Sequence, residues 1–141
     1  MKDDLVLRVV GKLLIPFILL FGLYVLFHGD YGPGGGFQAG VILAAGIIFY
    51  ALIYSVEEAR RVVPEPLVEA MMAVGVLLYV TVGVAGQVLG GNFLDYFVLA
   101  ADPVAGQLRG ILLVECGVAV AVTGVMLKVF YMFAGRGNLD Q

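Results

Sequence analysis

The chain has 141 residues, 62% hydrophobic and 13% charged, with a formal net charge of −3 and a mean hydropathy of +1.04. A soluble domain carries about twice that charged fraction and, at this length, has no interior large enough to hide so much apolar surface. The composition excludes a soluble globular enzyme, a nucleic-acid binder and a disordered chain, and at roughly 20 residues per span it leaves room for about four transmembrane helices.

The amino-terminal MKDDLVLRVVGK leads into LLIPFILLFGLYVLF, Leu13 to Phe27. No small-x-small cleavage pattern precedes His28-Gly29-Asp30, so the stretch reads as a retained helix, not a secretory signal. Its 15 uncharged residues are short for a span, which predicts a helix over 5–27 with Lys12 snorkelling its ammonium to the headgroups. The nine residues His28 to Gly36 contain five glycines and a proline and break the helix. A second helix is expected over 37–56, followed by the polar stretch EEARRVVPEP, read as a loop. A third runs over 67–89 and closes at Gly90-Gly91-Asn92. The apolar connection 93–109, turned by Asp102-Pro103, is expected to lie along the membrane surface or dip into it, and a fourth helix spans 110–133. The expected fold is a single all-α integral membrane domain, 1–141: a bundle of about four transmembrane helices with a glycine-rich loop between the first two.

Basic residues predict orientation. Lys2, Arg8, Lys12, Arg60, Arg61, Lys128 and Arg136 fall on one side of this topology and only Arg109 on the other. The asymmetry predicts cytoplasmic termini in a prokaryotic cell membrane, with the glycine loop facing outward.

Three features stand out against this background. The first is Pro33-Gly34-Gly35-Gly36-Phe37. It is neither a phosphate-binding P-loop nor a dinucleotide motif, since no Lys-Ser/Thr follows and the G-x-G-x-x-G spacing is absent. A tight turn is the plain reading; three successive glycines also suit backbone that another helix approaches closely. The second is a set of small-residue ridges: Gly36, Gly40 and Ala44, and then Gly117, Ala121 and Gly124 on one face with Lys128. They suit packing against another subunit or packing within the chain.

The third is Glu115, an acid inside an apolar helix about 9 Å beyond Arg109. Arg109 lies about 240° round the helix from it and Lys128 about 20 Å along, so its counter-ion or proton route is expected from another helix or another chain. Glu115 also lies about 200° from Gly117, so both faces of this helix call for protein neighbours, as in a subunit wedged inside an assembly. Lys12 and Lys128 near helix ends read as snorkelling residues or as parts of an ion path. His28 and Asp30 read as a proton relay or as solvated loop residues. Glu69 and Arg109 read as boundary charges. One cysteine (Cys116) and one histidine leave no metal site and no cofactor site, and no nucleophile stands beside a base.

Leu20 to Ala44, LFGLYVLFHGDYGPGGGFQAGVILA, resembles the signature of the B subunit of the multi-subunit Na+/H+ antiporters (the Mrp or Mnh type). Glu115 to Phe130, ECGVAVAVTGVMLKVF, is similar to that family's last helix. The resemblance covers essentially the whole chain. It departs at Gly29-Asp30-Tyr31-Gly32, where more variable polar residues are usual, and at Cys116, where a larger apolar residue is usual. It implies a non-enzymatic membrane subunit of a hetero-oligomer that exchanges Na+ and H+, with larger subunits carrying the main channels. It also implies that Pro33 to Phe37 form a loop on which activity depends and that Glu115 is the buried acid. Related subunits in ion-pumping membrane-bound hydrogenases are the alternative. A self-sufficient small exporter is disfavoured, because such proteins carry their acid in the first helix and none lies between Asp4 and Asp30.

Overall fold

The structure is a computed structural model describing residues 4–28, 34–99 and 101–136. Its helices are α1 (Leu5–His28), α2 (Gly36–Ile53), α3 (Val56–Val62), α4 (Glu65–Val88) and α5 (Pro103–Arg136), with a 3-10 turn at Tyr96–Leu99. Four of these, all but α3, are long and apolar enough to cross a membrane. At 1.5 Å per residue α2 is about 27 Å long, close to a hydrocarbon core of about 30 Å, while α5 at about 51 Å overhangs it.

The helices form a row. α1 packs on α2, α2 on α5 and α5 on α4, and among the described residues α1 and α4 make no comparable contact with each other. The outer helices α1 and α4 bury 17% and 22% of their spanning windows, against 39% and 33% for α2 and α5, so the outer pair present most of the apolar surface. Close approach depends on absent side chains. A Cβ on Gly75 would lie 2.5 Å from the Gly117 carbonyl oxygen, and one on Gly124 would lie 3.0 Å from that of Val68, so α4 and α5 cross nearly backbone to backbone. A Cβ on Gly40 would meet the Ala119 carbonyl oxygen at 2.8 Å. There the Thr123 hydroxyl donates to the carbonyls of Ala119 (2.7 Å) and Gly40 (3.2 Å), joining α5 to α2.

Helix boundaries correct the sequence expectation in two places. The stretch 57–66 is not a loop: α3 occupies Val56–Val62, with the Ser55 hydroxyl accepting from the Glu58 N–H at 3.1 Å. Glu57 and Glu58 in its first turn and Arg60 and Arg61 in its last complement its dipole. The last helix begins at Pro103 instead of 110, with Asp102 accepting from the Val104 N–H at 3.2 Å and Pro103 in the first helical position. Arg109 is therefore an exposed residue within α5, not a boundary charge.

The small-residue ridges also find their partners at home. Gly40 and Ala44 are buried against α5, and Gly117, Ala121 and Gly124 lie against α4. These residues, read as subunit-packing positions, make contacts inside the chain. The two-faced character of α5 is satisfied by α2 and α4, so it does not by itself require a neighbouring subunit.

Candidate functional site

The glycine loop and Glu115, widely separated in sequence, meet where α2 begins. Gly34 and Gly35 have φ of +142° and +146°, a region that residues with side chains rarely adopt. This backbone carries the chain from the last turn of α1 onto α5. A Cβ on Gly34 would lie 2.8 Å from Val25 Cγ1, and one on Gly35 would lie 3.4 Å from Glu115 Oε1 and 3.6 Å from Gln38 Oε1. At Gly36 a Cβ would collide with the Glu115 carbonyl oxygen and lie 3.0 Å from its Cα. Each glycine has its own reason: Gly34 lies tight against α1, Gly35 has a positive φ beside the carboxylate, and Gly36 lies against the α5 backbone. Below them Val25, Leu26, Ala39 and Ala119 form a buried cluster with Cys116 packed against it.

The half-buried Glu115 carboxylate thus faces the first turn of α2. The N-cap residue Gly35 has no side chain with which to cap that turn, and the first-turn N–H groups have no acceptor within the helix. The positive end of the helix dipole favours a negative charge at this place. Such a carboxylate, beside the Gln38 amide and non-helical backbone, can take up and release a proton or help to coordinate a partly dehydrated cation. Gln38 was not singled out by sequence reasoning; its signal was being the only amide in an otherwise apolar helix.

The remaining candidates fall elsewhere. Phe37 points outward and is exposed. His28 is exposed at the end of α1, its ring stacked on Tyr24 at 5.0 Å. Asp30 and Pro33 lie outside the described residues. Lys128, 13 residues beyond Glu115, is about 20 Å along α5, toward the opposite end of the helices. It does not simply snorkel: its ammonium bridges Glu69 Oε1 at 2.7 Å and Glu65 Oε2 at 3.3 Å. Glu65 also pairs with Arg60 at 3.3 Å. The Arg60 guanidinium donates to the Tyr131 carbonyl at 3.0 Å and sits over the Tyr131 ring, whose hydroxyl donates to the Val63 carbonyl at 3.0 Å. This network clamps α3, α4 and α5 together. Lys12 is exposed on α1 at the same end, beside Tyr50 and Tyr54. Neither lysine is brought to Glu115. Among the described residues no group of three or more His, Cys, Asp or Glu could hold a metal ion.

Comparison with known proteins bears on this arrangement. Residues 6–128 match the family model described as "Domain related to MnhB subunit of Na+/H+ antiporter". A Staphylococcus aureus (strain Newman) protein provisionally named antiporter subunit mnhB2 is 34% identical over 137 residues, covering 95% of this chain and 96% of its own length. Its counterpart in strain COL shows the same values. Among solved structures, the Mrp complex from Dietzia sp. DQ12-45-1b contains a chain that superposes with a TM-score of 0.69 at 32% identity over 95% of this chain. The match takes up 15% of that chain, so the same fold occurs there as one module of a far longer polypeptide.

Proposed function

This chain belongs to the family of MnhB-related subunits of Na+/H+ antiporters, and from that premise we propose that it works as a small membrane subunit of a multi-subunit cation/proton antiporter. The observation that carries the reading furthest is the meeting of the Gly34–Gly36 backbone with the Glu115 carboxylate at the start of α2. Within that complex, Glu115 is the ionisable group of this chain: it takes the proton or borders the cation route, and the glycines hold the backbone close enough for the helix dipole to act on its charge. In the sequence Pro33 and Phe37 flank these glycines, and His28 and Asp30 stand a few residues before them.

The outer faces of α1 and α4 meet lipid and neighbouring subunits. The basic ends of the helices, with Arg8, Lys12, Arg60, Arg61, Lys128 and Arg136, lie in the cytoplasm and the glycine loop on the outer side. Reporter fusions within α3 test the orientation, since an outward location of Glu57 to Val62 overturns it. Affinity purification of the chain in mild detergent tests the assembly. Co-purification of large antiporter-type membrane subunits is the expected result; recovery with metal-containing hydrogenase subunits moves the chain to a redox-driven complex, and recovery alone contradicts both.

A further inference from the structure

Two faces of α5 are taken up by α2 and α4, and a third is left open. Leu108, Glu115, Val122 and Val129 recur on it every seven residues. Ile111, Val118, Val125 and Met132 follow each of these three residues later, so the spacing alternates three and four over about 36 Å of helix. None of these residues is buried, and Leu108, Val125, Val129 and Met132 are 45% to 57% exposed. Buried residues of α5 such as Ala119, Thr123, Gly124 and Leu127 lie elsewhere round the helix, toward α2 and α4. Beside the stripe opens a hollow of about 250 Å3, walled by Val118, Val122, Val76 and Tyr79 over a floor of Gly75 and Gly117.

A repeat of 3.5 residues drifts by about 20° per heptad round a straight helix, and a second helix crossing in the left-handed sense follows that drift. Acyl chains need no register, and a carboxylate in the middle of the stripe suits them poorly. A second copy in the same orientation would set Glu115 against Glu115, and such like-charge opposition disfavours it. We infer that this face of α5 is the docking seam for one transmembrane helix of a different polypeptide. That helix carries its own apolar three–four repeat and seats a large apolar side chain in the hollow, as a knob in a hole. Where it passes Glu115 it presents a hydrogen-bonding residue. A carboxylate has about four lone-pair sites, so it accepts from that residue alongside any partner within the chain. That the polypeptide is another antiporter subunit rests on the function proposed above.

Benzoylphenylalanine placed at Val118, Val125 or Met132 of the full chain in its native membrane, with photo-crosslinking and mass spectrometry of the product, tests the seam. Crosslinks to one identified membrane subunit from all three positions are expected, and none from Leu113, an exposed residue of α5 off the stripe. Val118→Trp fills the hollow from within and is expected to weaken co-purification of that subunit about tenfold, the factor to which an overpacking cost converts, while Leu113→Trp leaves it unchanged. Circular dichroism of each variant checks that it is folded. Crosslinks only between copies of this chain, or no protein crosslink from the stripe, overturn the inference. Full co-purification by folded Val118→Trp overturns it as well, as does an equal loss in folded Leu113→Trp. Position-dependent crosslinks to a hydrogenase-type subunit uphold the seam and contradict the antiporter reading instead.

Discussion

Replacing Gly36 by alanine probes the contact on which the site is built. The new methyl carbon would fall on the Glu115 carbonyl oxygen, with the Glu115 carbonyl carbon and Cα both at 3.0 Å. Carbon atoms prefer about 3.5–4.0 Å, so α2 has to withdraw from α5 by about 0.5–1 Å, a gap that forfeits about a quarter to a half of the local dispersion attraction. The obstacle is backbone on both sides and cannot rotate away. Overpacking of this kind costs about 1–3 kcal/mol. The better helix propensity of alanine returns at most about 1 kcal/mol, and less at Gly36 because it is the first residue of the helix. A net loss of about 1–2 kcal/mol is expected. Thermal unfolding of the purified chain in detergent, followed by circular dichroism, reads it as a lowered midpoint. A Gly36→Ala protein that melts with wild type, and supports full Na+-dependent proton flux in the assembled complex, refutes the close contact.

At Gly35 an alanine is strained by its φ of +146°, and a cost of about 1–3 kcal/mol is expected in the same unfolding assay. The Lys128–Glu69 pair is part-exposed, so a double-mutant cycle is expected to return a coupling of only about 0.2–1 kcal/mol, with the exchanged pair Lys128→Glu/Glu69→Lys recovering most of it. Arg60→Ala removes a charged hydrogen bond to the Tyr131 carbonyl and should cost about 1.5–3 kcal/mol by thermal unfolding, and Arg60→Lys should not restore it fully because a compact ammonium lacks the forked donors and planar stacking of the guanidinium. Gly75→Val drives a branched side chain into the Gly117 backbone and is expected to part α4 from α5 at about 3 kcal/mol, seen as loss of a disulfide engineered across the two helices.

The four spans were legible because lipid forces each to be a long apolar run. Their ends were less so. α3 was hidden by its charge, although Ser55 three residues before Glu58 is the pattern of a capping box. The first two turns of α5 were hidden because Arg109 looked like a boundary, whereas Asp102-Pro103 is a cap followed by a proline suited to the first helical position. Both missed starts had a local signal, outweighed by a rule about charge. The candidate site was half legible: Glu115 was costly and the glycines were excessive, each visible alone. That they touch depends on α2 and α5 running parallel side by side, which no local pattern encodes. Periodicity showed that the ridge through Gly117 and Gly124 must pack, but was silent on whether the partner was α4 or another chain. Gln38 escaped notice because single polar residues near helix ends acquire meaning only from what lies opposite.

We propose that Glu115, held at the start of α2, is the working ionisable group of this chain in a cation/proton antiporter. Na+-dependent proton flux in everted membrane vesicles tests it, with a Glu115→Gln complex whose assembly has been confirmed by co-purification. Flux reduced to about a hundredth of wild type is expected, the lower end of what a positioned proton carrier contributes, with Glu115→Asp retaining part of it. Wild-type flux in an assembled Glu115→Gln complex would contradict it and leave the carboxylate a packing group.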